Sequence, residues 1–141
     1  MPGAYIVDPA RSLVLTRAWG ILTGADMLNH ARRLSADPRF QPQFSQLLDF
    51  RDITELPITA VEVREVAALN PFGPGARRAI VVASDVAFGM ARMYQILVEQ
   101  SPQEFEVFRD IDEALRWLGF ANVKAEILRA LSETLPLPET D

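Results

Sequence analysis

Four aspartates stand where an α/β fold gathers its chemistry. Asp49 lies within one apolar run and Asp52 just beyond it, Asp85 follows a second run, and Asp110 follows a third. In open α/β sheets ligands collect at the carboxyl ends of strands, and carboxylates converging there can hold Mg²⁺ for phosphoryl chemistry. Three of the four also have a structural use. Asp85 and Asp110 open helical patterns and suit capping of the orphan N–H groups. Asp49 shares a strand face with Arg51, two residues on. With three of the four so explained, no metal site is expected.

His30 is the sole histidine and there is no cysteine. That excludes disulfides, thiolate zinc sites, a cysteine nucleophile and any cluster of histidine ligands. No nucleophile and orienting acid surround His30 in the pattern that hydrolytic catalysis requires. It falls between Met27 and Leu34 at helical spacing, on the flank of an inner stripe, as a packed or half-exposed residue would. Arg77 and Arg78 end a loop of turn residues, Asn70 to Ala76. The loop lacks the Gly-Lys-Ser/Thr ending of a phosphate loop and leads into a strand rather than a helix. The candidates for holding an anion are Arg77, Arg78 and the N–H groups around Ser84 and Asp85.

The elements that position these residues are legible from periodicity. Tyr5–Val7 and Leu13–Trp19 read as strands joined by Asp8-Pro9-Ala10-Arg11, a link short enough for an antiparallel hairpin. Gly20 is expected to break the second strand. Thr23 caps a helix with Met27, Ala31 and Leu34 inward, closed at Asp37-Pro38. Gln46–Arg51 forms a third strand. Thr59-Ala-Val-Glu62 has capping-box spacing and opens a helix to about Ala68. Ala79–Ala83 is a continuous apolar run, the pattern of a strand covered on both faces. Ser84-Asp85 then starts a third helix whose stripe Val86, Met90, Met93 and Leu97 is expected to face the sheet, with Gly89 allowing close approach to a neighbour. The opposite stripe, Phe88, Arg92, Gln95 and Glu99, is expected in solvent. Phe88 and Arg92 on it are the interface candidates, since aromatics and arginine are enriched at interfaces, although single exposed apolar residues are also ordinary. Phe105–Phe108 is a fifth strand. Asp110-Ile-Asp-Glu113 repeats the capping-box spacing, ahead of Ile111, Ala114, Leu115 and Leu118. Gly119 stops that helix. A last helix from about Asn122 to Ser132 carries Val123, Ile127 and Leu131.

The order β-β-α-β-α-β-α-β-α-α predicts an α/β fold: a mixed sheet with an N-terminal antiparallel hairpin, then parallel β-α units, covered by helices. The 141 residues fit one domain, and 49% hydrophobic residues supply a core without covalent staples. A net charge of −5 and pI near 4.9 have the wrong sign for a general nucleic-acid binder. No window approaches the roughly 20 apolar residues of a membrane span. The first eight residues show neither a charged leader nor an apolar stretch, so no signal peptide and a cytoplasmic location are expected.

Three stretches carry a family resemblance: Leu13 to Thr23; Arg78 to Asp85 with Phe88 to Tyr94; and Val107 to Gly119. Together they resemble the STAS fold, most closely the SpoIIAA-like group of small STAS/SEC14-type proteins. The resemblance implies a STAS-like domain over residues 1–119, with 120–134 as a C-terminal helix of the same domain and 135–141 as a tail. It implies a non-catalytic interaction or regulatory module without a cofactor, most simply a homodimer or the binder of a protein partner. STAS antagonists of anti-sigma factors carry a phosphorylatable Ser or Thr at the start of the helix after the third strand. Thr59 falls at that place, with Pro57 and Ala60 where the acidic residue and glycine of the pattern stand. A phosphate would suit a helix N-terminus, yet a threonine cap is useful without one. The SEC14 branch implies the alternative function, a small-molecule protein with an apolar or anionic ligand, placed at the strand ends near Thr59, Ser84 and Asp85.

Overall fold

Arg78, Ala79, Ile80, Val81 and Val82 are all buried, which makes their strand the axis of the molecule. The structure, a computed structural model, describes residues 3–134; the expected tail, 135–141, lies outside them. The chain runs β1 (Gly3–Asp8), β2 (Leu13–Ile21), α1 (Gly24–Ala36), β3 (Ser45–Glu55), α2 (Ala60–Ala68), β4 (Arg77–Val82), α3 (Asp85–Leu97), β5 (Glu104–Phe108), α4 (Ile111–Leu118), a 3-10 turn (Ala121–Val123) and α5 (Lys124–Glu133). One sheet holds all five strands in the order β1-β2-β3-β4-β5. The first pair is antiparallel and the other three are parallel, as predicted.

Each parallel crossover steps one strand in the same direction, and crossovers of one hand then place their helices on one face. That face carries α1, α2 and α3: Ala87 and Ala91 of α3 and Met27 of α1 pack with Ala18, Leu48, Phe50, Ile80 and Val82, while Val63 and Val66 of α2 cluster with Tyr94 and Val98. The alternate residues, Leu13, Leu15, Leu47, Ala79 and Val81, meet α4 and α5 through Leu115, Leu118, Ile127 and Leu131. Period-two alternation in the strands thus feeds two separate apolar layers. Among the described residues no helix is long and apolar enough to cross a membrane.

Six local expectations change. The face that α3 turns to the sheet is Ala87, Ala91, Tyr94 and Val98, while Val86 is 67% exposed. Both stripes have helical spacing, so periodicity alone leaves the phase open. The small Ala87 and Ala91 let the helix settle close on Ile80 and Val82. Phe88 and Gln95, expected in solvent, are half-buried; Gln95 Nε2 donates to the Phe105 carbonyl at 2.8 Å. Gly89 approaches nothing, since a Cβ there would meet no atom within 4 Å. Gly24 is the glycine at a close approach, where a Cβ would collide with the Glu62 side chain of α2.

Gly20 does not end β2 but bends it. Its φ of +66° sits within register irregularities opposite β3, and the strand continues to Ile21. Such a bulge in the left-handed region is a glycine role. The helix after Ala83 is capped by Ser84 alone, whose hydroxyl accepts from Ala87 N at 3.1 Å. Asp85 is the first helical residue, its carboxylate held by Arg109 at 2.8 Å. Asp110 caps α4 by accepting from Asp112 N, without the reciprocal bond from Glu113 that a capping box requires.

Candidate functional site

Arg78 is the second residue of β4 and, by strand alternation, points to the α1–α3 side of the sheet. It is 7% exposed. Gln46 is its register partner on β3, and Thr16 on β2 projects to the same side. Arg78 Nε donates to Gln46 Oε1 at 2.9 Å. Its Nη1 donates to the Tyr94 hydroxyl at 2.6 Å and to Asn70 Oδ1 at 3.3 Å. Three rings enclose the guanidinium, with Cζ 4.4 Å from the Phe72 centroid, 5.2 Å from Phe105 and 5.3 Å from Tyr94. Cation–π attraction and neutral hydrogen bonds offset part of the cost of burying a charge.

The polar row continues toward α1. Gln46 Nε2 donates to Thr16 Oγ1 at 2.9 Å, so the Thr16 hydroxyl is left to donate to His30 Nε2 at 3.3 Å. That assignment puts the imidazole proton on Nδ1. Burial, then the positive charges of Arg78 and Arg33, push the His30 pKa down to about 4. His30 is therefore neutral at pH 7 and contributes no second cation. On the other side of Arg78, Asn70 donates its amide to Gln103 Oε1. Gln103, itself buried, leaves Nε2 without a partner.

Next to this row lies a cavity of about 70 Å³ between the sheet and α1–α3. Its walls are mainly apolar: Leu48, Phe50 and Ile80 from the sheet, Met27 and Leu34 from α1, Val63 and Val66 from α2, Met90 from α3. Leu56 and Ile58, between β3 and α2, close its opposite side. His30, Gln46, Asn70 and Arg78 supply the polar part of the wall. The arrangement offers an apolar tail somewhere to go and one positive charge to meet.

The structure separates the ligand candidates that the sequence grouped. Arg77 and Arg78 stand at the start of β4, whereas Ser84 and Asp85 stand past its end. Arg77 is exposed on the opposite face, paired with Glu104 at 2.9 Å and bonded to the Trp117 carbonyl. Asp85 faces Arg109. Thr59 is an exposed cap at α2: its hydroxyl donates to Glu62 Oε1 at 3.0 Å and accepts from Glu62 N at 3.1 Å. A phosphate at Thr59 would share that space with the Glu62 carboxylate. Asp49, Asp52 and Asp85 each have their own arginine, namely Arg51, Arg17 and Arg109. Among the described residues no three potential metal ligands come together.

Phe88 is half-buried beneath the Arg109 guanidinium, 4.5 Å from its centroid, and Arg92 is exposed. Sequence reasoning missed Gln46, Asn70 and Tyr94 altogether and gave Thr16 no function. One signal was available: Gln46 and Arg78 each stand one residue before an apolar strand run, where a polar side chain is carried under the covering helices.

No family model matches the chain, and no curated relative does. A solved structure does resemble it: an uncharacterised protein of the DUF3478 family with a SpoIIAA-like fold from Shewanella loihica PV-4. The two are 21% identical with a TM-score of 0.55, over 82% of this chain and 93% of the other. The protein therefore has a SpoIIAA-like α/β fold, with the antiparallel hairpin and parallel strands already described.

Proposed function

We propose that this protein is a non-catalytic STAS-like binding module that holds a small ligand in the chamber between its sheet and α1–α3. The carrying observation is the chamber itself: apolar walls from the central strands and three helices, with a buried polar row along one side. Small-molecule sites are concave, mostly apolar and carry a few convergent polar groups. The chamber's polar end lies under the starts of β3 and β4 with Gln46 and Arg78, while its apolar wall runs on to Leu56, Ile58 and Ala87. Native mass spectrometry of the purified protein tests this, with thermal-shift screening against small apolar and amphipathic compounds. A retained small mass or a stabilising compound is expected. No retained mass and no thermal response across the panel would remove the reading.

A second reading, a regulatory homodimer, draws on α3. Val86 and Leu97, 67% and 39% exposed, lie on one stripe of that helix with the half-buried Met90 and Met93 between them. Phe88 and Arg92 lie on a neighbouring stripe. Light scattering across a range of concentrations tests it. A dimer should dissociate on Val86→Glu or Phe88→Glu, and a monomer at every concentration ends this reading.

A further inference from the structure

The chamber's polar row contains one cation and no anion. Arg78 is 93% buried by surface, and none of the ion pairs among the described residues involves it. Its three hydrogen bonds leave from Nε and Nη1, and Nη2 donates to no described residue. His30, Gln46, Asn70 and Tyr94 around it are neutral groups. A buried guanidinium without a carboxylate is an expensive arrangement that structures ordinarily compensate. Here the compensating anion has a place to sit, because Arg78 and these four polar neighbours all line the cavity.

We infer that the ligand is a small monocarboxylate with a short apolar tail, its carboxylate on Arg78 and its tail among Leu48, Ile80 and Met90. This rests on the chamber reading above. One buried cation matches one negative charge; a phosphate monoester carrying two would leave the second uncompensated in an apolar wall. The N–H groups of Nη2 are left to make a charge-assisted bond to one carboxylate. A cavity of about 70 Å³ admits a tail of only a few carbons unless the covering helices shift.

The test is a titration followed by amide chemical shifts with three compounds of one carbon skeleton: pentanoate, pentan-1-ol and pentylamine. Pentanoate is expected to bind about tenfold or more tightly than the alcohol, from a charge-assisted bond in place of a neutral one. The amine is expected not to bind. Shifts should concentrate on Leu48, Ile80, Met90 and the Arg78 neighbours. Gln46→Glu supplies the missing carboxylate at Arg78 Nε with little change of shape, and should erase the preference for acid over alcohol. Arg78→Met should do the same where it folds. If acid and alcohol bind equally to the natural protein, or Gln46→Glu keeps the preference, the carboxylate inference falls while the chamber stands. If none of the three binds, both fall.

Discussion

Gln46 and Arg78 are register partners on neighbouring parallel strands, and Arg78 Nε donates to Gln46 Oε1 across 2.9 Å beneath the covering helices. One amide thereby serves two groups, since its nitrogen donates to Thr16 on β2. Three adjacent strands are thus tied by side chains beneath the helices. Gln46→Leu should cost about 2–3 kcal/mol, because it leaves the charged Arg78 Nε donor unpaired and removes the amide that donates to Thr16 Oγ1. Urea unfolding with an unchanged slope and a lower midpoint would show it; a midpoint within error of the natural protein would contradict the tie.

His30 gives the protein an acid limb of defined sign. Its folded pKa, about 4, lies below the ordinary histidine value of 6.5, so the unfolded chain takes up the proton first as pH falls. The facing charges are Arg78 and Arg33, both positive, and the Tyr5 ring meets the imidazole edge-on at 5.4 Å. Stability from this group is complete above about pH 6.5 and is lost progressively down to about pH 4, on the order of 3 kcal/mol in all. Denaturation midpoints at pH 7 and pH 4.5 measure it. His30→Gln should flatten that part of the profile, and an unchanged slope in the variant would assign the acid limb elsewhere.

The phase of α3 is open to a paired substitution. Ala91 lies against Ile80 and Val82, whereas Val86 is turned to solvent. Ala91→Leu should destabilise by about 1–3 kcal/mol through overpacking. Val86→Glu should change stability by no more than about 0.5 kcal/mol. The reverse order of effects would restore the other stripe to the sheet.

Gly20 holds its bulge by backbone conformation alone, since a side chain there would meet no atom within 4 Å. Gly20→Ala should cost about 1–2 kcal/mol from the positive φ. Gly20→Asn should cost less, as asparagine tolerates that region better. Thermal unfolding of the two variants checks the order; equal stability of Ala and natural protein would mean the bulge relaxes.

Much of the architecture was legible in residues 5–19 and 79–118. Alternation in Leu13–Ala18 and the unbroken run Ala79–Val82 are local patterns whose burial follows from strand geometry, whatever the partners. Thr59 announced its helix by capping-box spacing and Thr23 as a cap, and the structure closes a box at both. Asp110 shared the spacing without the reciprocal bond, which shows that spacing permits a box and does not compel one. The absence of cysteine and of a second histidine likewise limited the chemistry before any coordinates.

Tertiary structure alone decided the phase of α3, because two stripes of equal period differ only in what the sheet offers beneath them. It alone parted Arg77 from Arg78, two neighbours in sequence that a strand sends to opposite faces, one to solvent and Glu104, the other under three rings. And it alone assembled the polar row: Thr16, His30, Gln46, Asn70, Arg78 and Tyr94 come from six segments. Local pattern encodes which face of an element is covered. Which side chains meet beneath that cover depends on register between strands distant in the chain, and no single segment carries that information.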